Sequence, residues 1–108
     1  VNIGDLRHRV TIQHKVSGKD EDGLPVEEWR PLAEIWAAVE PLQGREFWQA
    51  KAVQSEATVR VRIWYRPDIT TAMRVQYGNR ILDIETVIDP EERHVELHLL
   101  CKEVVPGG

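Results

Sequence analysis

Few side chains in this 108-residue sequence could do chemistry, and their spacing argues against most of it. His94, Glu96 and His98 fall in "HVELHLLCKE". On a helix, histidines at i and i+4 share one face and can hold a zinc ion. This run instead alternates apolar and polar residues as a strand does, which sets the two imidazoles roughly 13 Å apart at about 3.3 Å per residue. Zinc–nitrogen bonds of about 2 Å do not bridge that gap. A solvated face is expected, and His8 and His14 fail as ligands for the same reason. "DEDG" (20–23) has the acidity of a calcium loop. An EF-hand, however, needs oxygen ligands at fixed offsets between two helices, and neither flank reads as a helix. Ser17, Ser55 and the scattered threonines lack the setting of a base-activated nucleophile. No glycine pattern resembles a phosphate loop. The carboxylate pairs Glu27–Glu28 and Glu91–Glu92 fall in expected loops. No catalytic residue, cofactor or metal site is expected, and the chain reads as a non-enzyme.

A different kind of chemistry is suggested by "ATVRVRIWYR" (57–66). Strict alternation puts Val59, Val61, Ile63 and Tyr65 on one face of a strand, and Arg60, Arg62, Trp64 and Arg66 on the other. The plain reading of the second face is a water-facing side. The sharper one is a docking surface, because Arg and Trp are the residues most enriched at protein–protein hot spots. An oligonucleotide-binding barrel would also use basic and aromatic residues on a strand face.

These residues need elements to hold them. "HRVTIQHK" (8–15) alternates as a half-buried strand, with Val10 and Ile12 inward. The acidic "SGKDEDGLPVEE" (17–28) reads as a long loop, of the kind that is functional or disordered. Helix and strand spacing compete over 29–42, and the prolines at 31 and 41 favour a strand from about Ala33 to Glu40. "GREFWQAKAVQSE" (44–56) is rich in helix formers, with Phe47, Ala50 and Val53 at helical spacing, and predicts a helix of about three turns. Tyr77-Gly78-Asn79-Arg80 signals a two-residue hairpin, and Asp89-Pro90-Glu91-Glu92 a further turn. The closing strand sets Val95, Leu97, Leu99 and Cys101 on one face. "VVPGG" at the end is expected to fray. The sum is mainly β: about six sequentially neighbouring antiparallel strands and one short helix after the second. Such a set commonly curls into a small barrel or sandwich.

Bulk numbers fit one domain. Apolar residues make up 42% and charged residues 30%, an ordinary globular balance. No apolar run approaches the length of a spanning helix, and the N-terminus has no apolar region of a signal peptide. The single cysteine, Cys101, lies in the alternating closing strand and is expected as a buried structural thiol in a reducing compartment. A net charge of −4 argues against bulk electrostatic grip on nucleic acid.

The order and spacing of several segments resemble the head–tail joining, or head closure (head completion), family of tailed bacteriophages and prophages. These are "IGDLRHRVTIQ", the acidic Asp-Gly loop, "IWAAVEPLQGREFWQA", "VRIWYRPDIT", "MRVQYGNRILDI" and "ELHLLCKE". The resemblance runs from about Ile3 to Glu103. It implies a single-domain small β-barrel with a short helix and a long mobile loop. It further implies a structural subunit of the virion, made in the host cytoplasm, that forms a homo-oligomeric ring beneath portal and adaptor proteins. That ring would close the DNA-filled head and receive a tail protein, with DNA passing through or retained but not read by sequence. The free chain could be a monomer, and no membrane is involved. Phe47, Trp48, Arg60, Arg62, Trp64 and Arg66 are the candidate interface residues. Gly18, Lys19, Asp20, Glu21, Asp22 and Gly23 form the candidate gating or assembly loop. A small nucleic-acid-binding barrel is the alternative.

Overall fold

The computed structural model describes residues 6–104. Six strands and one helix follow in the order β1 (His8–Lys19), β2 (Pro25–Pro41), α1 (Gly44–Ala52), β3 (Val59–Trp64), β4 (Arg74–Tyr77), β5 (Arg80–Ile88) and β6 (Glu96–Val104). All pairings are antiparallel, and the ring of strands closes in the order β1-β2-β3-β6-β5-β4. The closing seam is short, Thr11 to Gln13 of β1 against Arg74 to Gln76 of β4. Neighbours in sequence are thus not always neighbours in space: β3 pairs with β6, and β4 closes on β1. The expectation of sequentially neighbouring strands fails there, because the chain must cross from β3 to β4 for the barrel part of the sheet to close.

One apolar face per strand fills the interior. Val10 and Ile12, Val59, Val61 and Ile63, Val75, Leu82 and Ile84, and Leu97, Leu99 and Cys101 are buried together. Val95 was expected in this set but lies before β6 and is exposed. Val104 ends β6 rather than fraying, and the remainder of the tail expected to fray, 105–108, lies outside the described residues.

Two register breaks shape the ring. Between Ile12 and Gln13 the β1–β2 pairing jumps from Ala33 to Pro31, leaving Leu32 as an extra residue. Pro31 has no N–H to donate, and prolines within sheets are confined to edges and bulges. In β5 the pairing with β6 skips Glu85. That bulged carboxylate accepts a hydrogen bond from Ser55 Oγ at 2.6 Å and one from the backbone N–H of Glu56 at 3.2 Å, tying the segment after α1 to the barrel.

The largest departure from sequence-based expectation concerns 17–28. It is not an irregular loop: β1 runs on to Lys19, β2 begins at Pro25 rather than near Ala33, and the two pair throughout. The alternating signal vanishes here because the hairpin leaves the barrel and has no buried side. Only 20–24 turns. Asp20 Oδ1 accepts from the N–H groups of Asp22 (3.0 Å) and Leu24 (2.8 Å), and Gly23 takes φ +78°, a left-handed value that glycine adopts without steric cost. At the hairpin base the Arg74 guanidinium lies 4.2 Å from the ring centre of Trp29, with Lys15 on the same ring at 5.2 Å. Arg74 Nε donates to Gln13 Oε1 at 2.7 Å. The hairpin gives the molecule its length, 49 Å against 28 and 26 Å.

Helix α1 is shorter than expected, ending at Ala52, and Val53 points to solvent instead of docking. Gln54 turns to φ +61° and stops the helix. Ala50, with Leu42 and Ala57, makes a small second core against which Phe47 and Leu100 pack.

Burial raises the Cys101 thiol to about 12, with the Asp83 and Glu85 carboxylates adding to the shift. The native chain should therefore resist an aromatic disulfide reagent at pH 8 and react fully in denaturant. Rapid native labelling, followed by absorbance, would contradict the packing described.

Candidate interface surfaces

The outward face of β3 carries the arginine row. In register, Arg60 lies opposite Glu40 of β2 and Leu100 of β6; Arg62 lies opposite Ala38 and His98. Arg62 Nε donates to Glu40 Oε1 at 2.7 Å, and Arg60 Nε is 3.5 Å from the same oxygen. Arg60 also reaches Glu46 on α1, so it clasps helix to sheet. Both arginine side chains are mostly covered. Burial alone would push the Glu40 carboxyl up, but its hydrogen bond and attraction to Arg62, with the charge of Arg60, hold it below the ordinary glutamate value. Arg66 makes a two-pronged bond to Asp68 at 3.1 and 2.9 Å, which raises its own pKa and lowers that of Asp68. The row that alternation presents as a bare basic stripe is therefore occupied by carboxylates of the same chain. Glu40 and Glu46 are distant in sequence from these arginines, and only strand pairing and the docking of α1 bring them together.

The aromatic side chains are less satisfied. Trp64, at the end of β3, is 41% exposed, and Trp36 on β2 is 50% exposed. They flank a cleft of about 360 Å³ completed by Ile35, Tyr65, Arg9, Glu34 and Arg66. The Arg9 guanidinium lies 5.1 Å from the Trp36 ring centre and bonds Glu34 through Nε at 3.1 Å. Trp36 and Arg9 were not among the expected interface residues. Alternation could have found Trp36, since Ile35 and Val39 pack inward around buried Ala37 and so place it outward. What hid it was the competing helix spacing over 29–42.

Trp48 lies on α1, the helix that Glu46 ties to Arg60 of β3, and is 69% exposed. Phe47 beside it is half-buried, meeting Trp48 edge-on at 5.4 Å between ring centres. The two neighbouring aromatics thus divide between holding the helix down and facing solvent. Gly44 starts the helix at φ +56°. Gly18, Lys19, Asp20, Glu21, Asp22 and Gly23 all lie at the hairpin tip and are exposed.

Three of the four histidines are held by side-chain partners. His98 Nε2 is 3.0 Å from Glu96 Oε1, and His94 Nδ1 pairs with Asp89 across the 3₁₀ turn at 90–92. His8 Nδ1 lies 2.8 Å from the Tyr77 hydroxyl. Among the described residues no group of three or more His, Cys, Asp or Glu is arranged to hold a metal ion. Nor is any helix among them long and apolar enough to cross a membrane.

Fold and surface together define a small closed antiparallel barrel with a projecting hairpin and exposed aromatics on β2, β3 and α1. The sequence profile of the phage head completion proteins matches residues 1–104, and the chain belongs to that family. It is 29% identical over 104 residues to head completion protein gp7 of Enterobacteria phage HK97, spanning 92% of this chain and 93% of that one. Protein SF1141 of Shigella flexneri 2a, solved in solution, is similar with a TM-score of 0.75 and 29% identity, over 98% of this chain and 99% of its own. A chain in the virion of a native gene transfer agent particle shares the fold, with a TM-score of 0.59 and 20% identity over 93% and 96% of the two chains.

Glu40 provides a test of the ion-paired face. Its folded pKa is depressed, so it adds stability above the ordinary glutamate range and loses it as pH falls through the folded value. Glu40→Gln should cost about 0.5–1 kcal/mol at pH 7, as for a partly screened pair. In urea titrations the gap between wild type and variant should narrow at acid pH. A gap independent of pH would refute the assignment.

Proposed function

We propose that this head completion protein acts as a connector subunit. In this reading copies assemble as a ring on the portal and adaptor, close the DNA-filled head and offer the tail its attachment site. The family match over residues 1–104 carries the reading. Three features of the surface support it. Exposed tryptophans stand on two different elements, Trp64 at the end of β3 and Trp48 on α1, so the chain has two separate places to meet neighbours, as a subunit of a closed ring requires. The arginines of β3 are matched by carboxylates within the chain, which suits a protein that packs against proteins rather than gripping phosphates. The net charge of −4 suits a conduit from which DNA must leave.

Assembly in the host cytoplasm and service in the virion follow from this reading, with no catalysis and no cofactor required. Among the candidate residues, Trp48 and Trp64 are the contact groups. Arg60, Arg62 and Arg66 set the face on which Trp64 stands, and Phe47 seats the helix. The tip, Gly18 to Gly23, is a mobile element that settles on assembly.

Trp48→Ala and Trp64→Ala should leave the melting temperature within a few degrees of wild type, since both side chains lie outside the main core. Each should lower the yield of infectious tailed particles at least tenfold in a complementation assay; normal yields from both would remove these surfaces from the connector. Salt-dependent binding of a single-stranded oligonucleotide by the isolated chain would favour a nucleic-acid-binding barrel instead. Amide exchange should be much faster at 18–26 than in the barrel strands. Protection at the tip equal to that of β3 would contradict its mobility.

A further inference from the structure

We propose that the hairpin tip of one copy inserts into the Trp36–Trp64 cleft of the next, so that copies associate head to tail through these two surfaces. The inference rests on the connector reading and deepens it by naming the contact between copies.

The tip carries apolar groups with no partner of their own. Leu24 is 59% exposed and Val26, two residues on in the extended chain, is 39% exposed. Neither belongs to the cores. Around them, Asp20 to Glu28 holds five carboxylates and no cation. Asp20 is spent on the turn, Glu27 pairs with Lys15 and Glu28 with Arg30. Glu21 and Asp22 make no ion pair among the described residues.

The cleft is complementary on both counts. Trp36, Trp64, Ile35 and Tyr65 give it apolar walls, and it has room for one or two aliphatic side chains. Arg9 and Arg66 stand among its lining residues beside Glu34, and Arg66 is already bonded through Nε and Nη2 to Asp68. Arg9 engages Glu34 through Nε alone, while a guanidinium carries five donors. A tip that seats Leu24 and Val26 between the tryptophans brings Glu21 and Asp22 to the remaining donors of the Arg9 guanidinium.

A chain does not fill its own cleft. From Arg9 at the cleft to Lys19 at the tip the paired strands run about 33 Å at roughly 3.3 Å per residue. The hairpin leads away from the barrel, so the occupant is a second copy. Side-chain insertion also fits the edges of the hairpin better than strand addition does. Pro25 and Pro31 interrupt the outer edge of β2, and Lys15 and Lys19 lie along β1, the devices that discourage edge pairing. Because tip and cleft are different surfaces, each copy gives one and receives one, and the contact closes only by rotation.

Two variants separate the halves. Leu24→Glu spoils the tip and keeps the cleft; Trp64→Glu does the reverse, with Trp36→Glu as the substitute should Trp64→Glu not fold. Isotope-labelled Leu24→Glu chain, mixed with unlabelled Trp64→Glu chain at concentrations up to about 1 mM to detect weak contacts, should show amide shifts at Arg9, Trp36 and Arg66. With the labels exchanged, shifts should fall at 20–26. Each variant alone should show these changes at least tenfold more weakly than the mixture. No shift in the mixture, or shifts at the clefts of both chains, would overturn the proposal. The same variants in particle assembly tell this failure from failure of the connector reading. Normal assembly with Leu24→Glu but not with Trp48→Ala removes only the tip–cleft contact. Normal assembly with every variant removes both.

Discussion

Closure of the sheet is the constraint from which the rest of the molecule follows. With β4 hydrogen-bonded to β1, backbone groups inside the ring are paired and the interior is reserved for one side chain in two from each strand. Val10, Ile12, Val61, Ile63, Val75, Leu82, Leu99 and Cys101 are almost completely withdrawn from water as a result. A core this narrow leaves no interior room for polar groups, and none of the described polar or charged residues is buried. Everything with chemical character is pushed outward. The outer face is where this protein differs from any other small barrel.

That outer face is organised by charge compensation and by aromatic exposure, which do different work. Glu40 and Glu46 hold Arg60 and Arg62, and Asp68 holds Arg66, so the guanidinium groups stiffen the joints between β2, β3 and α1. Such pairs add little net stability where water reaches them. They do fix the position of the aromatic groups beside them. Trp36, Trp48 and Trp64 keep between 41% and 69% of their surface in solvent, at a cost that a solitary barrel has no reason to bear. The connector role proposed above supplies such a reason, since in it these aromatic groups are the ones that neighbours cover.

The hairpin extends the same logic beyond the barrel. Its ladder continues β1 and β2 past the core, held at its base by Trp29 between Lys15 and Arg74. Its own hydrogen bonds give it form, and no core covers either of its sides. Composition alone made it look like a loop. The residues are polar and glycine-bearing because they have no core to face, whereas their pairing is set by the neighbouring strand.

Alternation along the chain determined the inward residues of β1, β3 and most of β6, the turn at Gly78-Asn79, the one helix after the second strand, and the β-rich class. Each of these is written in a local period of two, in helix-forming runs, or in turn chemistry that nearby residues enforce. Tertiary structure decided the pairing of β3 with β6, the seam from β4 to β1, the reach of β2 back to Pro25, and the bulge that aims Glu85 at Ser55. It also decided that Arg60 and Arg62 meet Glu40, and that Trp36 joins Trp64 across two strands. Those features depend on which strand lies beside which, and a local pattern carries no information about its partner until the sheet has closed.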